Sequence, residues 1–103
     1  MTYQNILTLV KKYILEVKKS GITVHEAYLF GSQAKKTADK NSDIDVCVVS
    51  SSFKGDRQSN RLQLMKITHR LSDDIEPHPL TIEDFNNPYD PFVKEVKKGV
   101  RID

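Results

Sequence analysis

The sequence has little of the chemistry that stabilises extracellular domains or structural zinc sites. Cys47 is the one cysteine among 103 residues, which excludes an intramolecular disulfide and a zinc site built from several cysteines. No apolar run approaches the roughly 20 residues of a membrane span, and the first residues lack the basic region and hydrophobic stretch of a secretory signal. We therefore expect a cytoplasmic protein with no membrane association.

An excess of charge of one sign is also missing. Lysine and arginine number 16 against 14 acidic residues, giving a formal net charge of +2 without a dominant basic block. Direct nucleic-acid binding is therefore not indicated. The sequence has neither a His-x-x-x-His pair nor a Ser/His/Asp order that would suggest hydrolytic chemistry. A chain of this length can bury one modest core, so we expect a single domain over residues 1–103.

The most informative segment extends from Tyr28 to Val49 and joins an apolar run, a Gly-Ser pair and two carboxylates. Asp43 and Asp45 precede a β-branched run, so we expect them to open a strand, where side chains two residues apart share a face. Two like charges on one face repel unless a cation neutralises them. Oxygen ligands favour Mg²⁺ or Mn²⁺ over zinc. The pattern predicts a divalent metal site.

The Gly-Ser pair predicts a phosphate-binding turn. Gly31 follows the apolar run and allows a sharp turn with close approach of the backbone to a ligand. Ser32 is predicted to cap a short helix through Ala38, whose free N–H groups favour an anionic phosphate. Lys35 adds positive charge beside this turn.

Gly31-Ser32, ten further residues and then Asp43-Ile44-Asp45-Val46 form a motif that resembles the signature of the DNA polymerase β-like nucleotidyltransferase superfamily. The short chain looks most like its minimal members, the MNT type of bacteria and archaea. Lys36 departs from the second glycine that many minimal members carry at this turn. A lysine there is strained if the backbone needs a positive φ.

The resemblance implies a third carboxylate on a neighbouring strand. Glu76 is the preferred candidate and Asp74 is its rival. Pro77 favours an extended conformation at Glu76, and the two prolines of this segment predict an edge strand. Period-two alternation groups Glu76 with Asp74 and His78, and the sequence leaves open whether His78 lines the pocket.

Hydrophobic periodicity and turn signals predict an α/β domain in which a small mixed β-sheet is flanked by helices. The predicted helices are Thr2–Lys19, Ser32–Ala38, Ser59–Ser72, a short turn from Thr81 to Asp84, and a helix capped by Asp90 that extends to Lys98; the predicted strands are Val24–Phe30, Ile44–Ser50 and the segment around Glu76. The tail from Val100 to Asp103 either pairs with the sheet or frays.

The resemblance implies an enzyme that moves a nucleoside monophosphate from an NTP, expected to be ATP, to an acceptor hydroxyl with Mg²⁺ or Mn²⁺. It assigns catalysis and metal binding to Asp43, Asp45 and Glu76, and triphosphate binding to Gly31, Ser32 and Lys35. The usual partner of minimal members is a helical HEPN protein in a toxin–antitoxin pair. The implied acceptor is then a tyrosine hydroxyl of that partner, with this chain as antitoxin.

Two other functions are considered. A non-catalytic binding module would neutralise its partner by occlusion, and the three carboxylates argue against it. Small-molecule transfer in the manner of aminoglycoside nucleotidyltransferases is weakened because those enzymes have a C-terminal domain. The sequence leaves open which NTP is used, what accepts the nucleotide, whether the chain is catalytically active, and whether it forms a homodimer.

Overall fold

The computed structural model describes residues 1–39 and 41–102, so Lys40 of the motif segment and Asp103 of the tail lie outside the described residues. The elements follow in the order α1 (Tyr3–Lys19), β1 (Glu26–Phe30), α2 (Ser32–Lys35), β2 (Ile44–Val49), α3 (Arg57–Thr68), β3 (Ile75–Leu80), α4 (Ile82–Phe85), α5 (Pro91–Lys97) and β4 (Val100–Arg101).

The four strands form one mixed sheet in the order β3-β2-β1-β4. Strand β1 pairs antiparallel with both β2 and β4, whereas β2 and β3 are parallel. The predicted α/β class with a small mixed sheet is confirmed. Strand β3 lies at an edge, as Pro77 and Pro79 predicted, because a proline cannot donate to a ladder on both sides.

Alternate residues of β2 belong to two apolar layers on opposite faces of the sheet. Val46 joins the larger cluster with Val10 of α1 and Leu64 of α3. Cys47 joins the smaller cluster, which includes residues of α4 and α5. Burial raises the pKa of Cys47 to about 12, so this thiol is an inert part of the core. Asp45 shares the face of Cys47 and lies at the open end of this second layer.

Helix α3 differs from the helix predicted from the sequence at both ends. It begins at Arg57 rather than Ser59 because the side chain of Asp56 accepts the Ser59 N–H at 2.8 Å and caps the helix two residues earlier. It ends at Thr68 rather than Ser72. Beyond Thr68 the chain continues as turns, in which the N–H of Leu71 donates to the Thr68 carbonyl at 2.9 Å.

The C-terminal elements follow their sequence signals. Asp90 caps α5 by accepting the Phe92 N–H at 2.9 Å, and Pro91 occupies the first helical position. The tail pairs with β1 through β4. Gly99 allows this pairing, since a Cβ there would collide with the Leu29 carbonyl oxygen. Among the helices of residues 1–39 and 41–102, none is long and apolar enough to cross a membrane.

Candidate active site

The strand register brings three carboxylates together at one end of the sheet. Asp45 lies directly opposite Glu76 in the parallel β2–β3 pair, and Asp43 lies one residue before β2 begins. A hydrogen bond to Glu76, and then the charge of Glu76, raise the pKa of Asp43, with smaller contributions from desolvation and from Asp45. The three carboxylates that the sequence singled out are therefore neighbours in the fold.

Asp74 does not belong to this group. Asp74 lies one residue before β3 begins at Ile75. The Asp74 carbonyl accepts the Ile44 N–H at 2.8 Å, and the residue lines a separate cavity of about 240 Å³ together with Gln33 and Asp39. The geometry favours Glu76 over its rival.

Arg61 is a member of the site that the sequence reasoning missed. Its Nη2 lies 3.0 Å from Oε1 of Glu76, and both side chains are partly exposed. The guanidinium offsets part of the negative charge of the carboxylates. One sequence feature could have predicted this contact. Arg61 lies on the helix that connects two parallel strands, and such a helix must pack across both of them.

His78 also lines the site, which resolves the question that the sequence left open. Its Nε2 lies 3.1 Å from Oδ1 of Asp45. The ring packs edge-on against Phe30, with 5.1 Å between centroids, and tilted against Phe92 at 5.5 Å. Asp45, Glu76 and His78 each offer one ligand atom, and these atoms lie within 4.8 Å of one another.

The Gly-Ser turn lies against the first carboxylate of β2. Gly31 has φ 74° and ψ −152°, a conformation that is essentially restricted to glycine. A Cβ at this position would lie 2.6 Å from Oδ2 of Asp45. The glycine is therefore needed both for the backbone path and for the space that the Asp45 carboxylate occupies.

The short helix after this turn differs from its prediction. Gly31, not Ser32, occupies the N-cap position, so Ser32 is the first helical residue and makes no capping bond of the expected kind. The helix ends at Lys35 rather than Ala38 because Lys36 adopts a left-handed conformation with φ 59°. Among the described residues, Lys36 is the one non-glycine with positive φ, the strained position that its departure from the family motif suggested.

Lys35 is engaged with another element. Its Nζ lies 2.7 Å from Oε1 of Glu95 on α5, and Lys35 is the main cause of the lowered pKa of Glu95. The pair is exposed to solvent. Such exposed ion pairs are worth up to about 1 kcal/mol, so Lys35 can exchange this partner for another anion at small cost.

The donor set fits a divalent metal ion. Asp45, Glu76 and His78 bring two carboxylate oxygens and a nitrogen close together, and Asp43 adds a carboxylate that is hydrogen-bonded to Glu76; carboxylate oxygens are typical ligands of Mg²⁺ and Mn²⁺. After its hydrogen bond to Glu76, the negative charges of Glu76 and Asp45 are among the causes that raise the pKa of Asp43. A cation would relieve that repulsion.

Comparison with known proteins identifies the family. The family profile described as a nucleotidyltransferase domain matches residues 10–102. The chain therefore belongs to this family, which confirms both the resemblance and the enzyme class that the sequence indicated. No curated protein matched the chain in the corresponding comparison.

Two solved structures share the fold. One is a protein from Sulfolobus solfataricus provisionally described as a nucleotidyltransferase, with 23% identity and a TM-score of 0.69 over 96% of this chain and 80% of that chain. The other is a toxin–antitoxin crystal structure with AMP-PNP, with 22% identity and a TM-score of 0.62 over 89% of this chain and 71% of that chain. At these identities the likeness concerns the fold.

Proposed function

We propose that this nucleotidyltransferase uses a divalent metal, Mg²⁺ or Mn²⁺, to transfer the AMP moiety of ATP to a hydroxyl group of a partner protein. The observation that carries this proposal is the register of the two parallel strands, which places Asp45 opposite Glu76, with Asp43 hydrogen-bonded to Glu76. Three converging carboxylates can hold the ions that bind a triphosphate.

In the proposed reaction, the acceptor oxygen forms a bond to the α-phosphorus of ATP. At the same time, the bond between the α-phosphorus and the oxygen that bridges the α- and β-phosphates breaks, and pyrophosphate leaves. A divalent metal held by the three carboxylates would neutralise phosphate charge and lower the pKa of the acceptor hydroxyl. Glu76 is partly exposed on an edge strand, so it can accept the proton of the hydroxyl directly or through a water.

Gly31, Ser32 and Lys35 are proposed to bind the triphosphate. The first N–H groups of a helix have no partner within the helix and point toward its N-terminal end. Because α2 has only four residues, we assign the binding to these donors and to the Ser32 hydroxyl rather than to a helix dipole. Lys35 would contribute after leaving Glu95.

The acceptor is proposed to approach from the side of α3. Arg61 and Met65 border the groove beside Glu76, and the same two residues line a neighbouring cavity of about 340 Å³ with Leu62. Leu62 is 59% exposed and adds apolar surface to this cavity. A tyrosine ring fits such a mixed apolar and cationic surface.

We further propose that the partner is a helical HEPN-type toxin and that this chain is its antitoxin. The fold shared with the toxin–antitoxin structure that contains AMP-PNP supports this assignment.

The test incubates the chain with the protein encoded beside it, a divalent metal and ATP labelled at either the α- or the γ-phosphate. Nucleotidyl transfer labels the partner from α-labelled ATP alone, and mass spectrometry should place AMP on a hydroxyl side chain. Transfer of γ-label would instead indicate a phosphoryl transferase and contradict the proposal.

Matched aspartate variants make this experiment specific. Asp43→Asn should stop the labelling and leave the complex intact by size-exclusion chromatography. Asp74→Asn, a nearby exposed aspartate in a separate cavity, should label normally. Labelling that persists in Asp43→Asn would refute the catalytic assignment, and binding without labelling in the wild type would favour occlusion.

A further inference from the structure

His78 extends the carboxylate site with a nitrogen donor. It lies two residues beyond Glu76 on β3, and its Nε2 is 3.1 Å from Oδ1 of Asp45. In a site with bonds of about 2.1 Å, two donor atoms at right angles lie about 3 Å apart, and opposite donors lie about 4.2 Å apart. The spacing of Asp45, Glu76 and His78, within 4.8 Å of one another, approaches this geometry.

The imidazole is held in place by apolar packing. Phe30 and Phe92 contact each other edge-to-face at 5.6 Å, and the His78 ring packs against both of them. The side chain is 21% exposed, so most of the ring is fixed in the second apolar layer. This packing restrains the ring while Nε2 is directed at Asp45, as expected of a pre-organised ligand.

We propose that His78 is a metal ligand together with Asp45 and Glu76, and that this nitrogen shifts the preference of the site from Mg²⁺ toward a first-row transition ion such as Mn²⁺. The inference rests on the proposed role of the carboxylates in metal binding. Mg²⁺ prefers an all-oxygen shell, whereas transition ions accept imidazole readily. The reading that competes with it is a hydrogen bond from His78 that only orients Asp45.

Electron spin echo envelope modulation of the Mn²⁺-loaded protein separates the two readings. A coordinated imidazole couples its ¹⁴N nucleus to the Mn²⁺ spin. We expect this coupling in the wild type and its loss in His78→Gln. His69→Gln is the matched control, because His69 is also 3.1 Å from an aspartate oxygen, that of Asp73, but is exposed on the surface. The control should keep the signal.

Calorimetric titration with MnCl₂ and with MgCl₂ gives a second readout that needs no turnover. The ratio of Mn²⁺ to Mg²⁺ affinity should fall several-fold in His78→Gln, because loss of a nitrogen ligand weakens Mn²⁺ binding selectively, whereas loss of a group that only orients Asp45 would weaken the binding of both ions alike. Circular dichroism verifies that the variant is folded. An unchanged ratio, or Mn²⁺ bound without ¹⁴N coupling in the wild type, would overturn the proposal.

The outcomes also separate this inference from the proposed function. Nitrogen-coupled Mn²⁺ without AMP transfer to the partner would support the role of His78 and count against the transfer reaction. AMP transfer to the partner, together with bound Mn²⁺ that shows no nitrogen coupling, would support the transfer reaction and count against the role of His78. Failure of the wild type to bind Mn²⁺ even with ATP present would overturn both.

Discussion

Gly31 and Asp45 are packed so closely that position 31 has no room for a side chain. A Cβ on Gly31 would lie 2.6 Å from Oδ2 of Asp45, a distance that real Cβ atoms essentially never show. The other oxygen of the same carboxylate, Oδ1, lies 3.1 Å from His78. Asp45 thus contacts both the Gly31 turn and the edge strand β3, so a change at the turn should also disturb the proposed metal site.

Gly31→Ala is expected to damage metal binding as well as the fold. The glycine-only backbone conformation costs about 1–3 kcal/mol when another residue adopts it, and displacement of the Asp45 carboxylate adds to that. Thermal denaturation should show lower stability, and Mn²⁺ or Mg²⁺ with ATP should no longer raise the melting temperature.

Gly55→Ala is the control for the Gly31 variant. Its φ of 76° matches the 74° of Gly31, but a Cβ there would meet nothing within 4 Å. It should lose about 1–2 kcal/mol of stability from the left-handed backbone and keep the ligand-dependent increase in melting temperature. Equal ligand-dependent shifts in the two variants would refute the coupling between Gly31 and Asp45.

Asp43→Asn is expected to stabilise the metal-free protein. The pKa of Asp43 is raised, so the folded state binds its proton more tightly than the unfolded state does. Stability from this group therefore increases as pH falls through the raised pKa and is lower at neutral pH, where the carboxylate repels Glu76. Asparagine removes the charge and can still donate a hydrogen bond to Glu76.

Denaturation at several pH values without metal measures this effect. The wild type should lose stability relative to Asp43→Asn as pH rises from the acidic range toward neutrality. With metal and ATP at neutral pH the order should reverse, because only the wild type retains the full ligand set. A variant that is less stable than the wild type in the metal-free state at every pH would contradict the prediction.

The convergence of the carboxylates was anticipated partly from local sequence rules and partly from the family resemblance. Period-two alternation predicted that Asp43 and Asp45 share a face, and the prolines predicted that the segment around Glu76 is an extended edge strand. The choice of Glu76 over Asp74 required only the position at which that strand begins. The third carboxylate itself was implied by the family resemblance, and the parallel pairing of β2 with β3 that brings Glu76 to Asp45 is not a local signal.

The remaining features depend on packing that no local pattern encodes. The contact of Arg61 with Glu76 arises because α3 crosses the β2–β3 pair at one particular register. The contact of Gly31 with Asp45 depends on the path of the turn across the strand end. The end of α2 at Lys36 was missed because lysine is not a usual signal for a left-handed residue.

Lys36→Gly should be mildly stabilising. A left-handed non-glycine residue costs about 1–2 kcal/mol, which glycine avoids. The substitution also removes the stacking of the Lys36 ammonium on the Tyr3 ring, at 4.6 Å from its centroid, which is worth about 0.5–1 kcal/mol. We expect a net gain of about 0.5 kcal/mol in the free energy of unfolding, measured by chemical denaturation.

The Tyr3→Leu background isolates the backbone effect at position 36. The cation–π contact is already absent in this background. Lys36→Gly should therefore raise the free energy of unfolding by about 1 kcal/mol, the full effect of release from the left-handed conformation. If the gain is no larger in this background than in the wild type, the stacking contributes nothing. If Lys36→Gly is destabilising in both backgrounds, the left-handed residue is not strained.

Arg61→Gln is expected to increase metal affinity while lowering the stability of the metal-free protein. The guanidinium is 3.0 Å from Glu76, and both side chains are more than one-third exposed, so the ion pair is worth no more than about 1 kcal/mol. In the metal-free state Arg61 screens the carboxylates. Its positive charge opposes a cation at the same place, so its removal should tighten Mn²⁺ binding several-fold in calorimetric titrations. Arg61→Lys retains the charge and should bind Mn²⁺ like the wild type; weaker binding in Arg61→Gln would show that Arg61 positions Glu76 for the metal instead of competing with it.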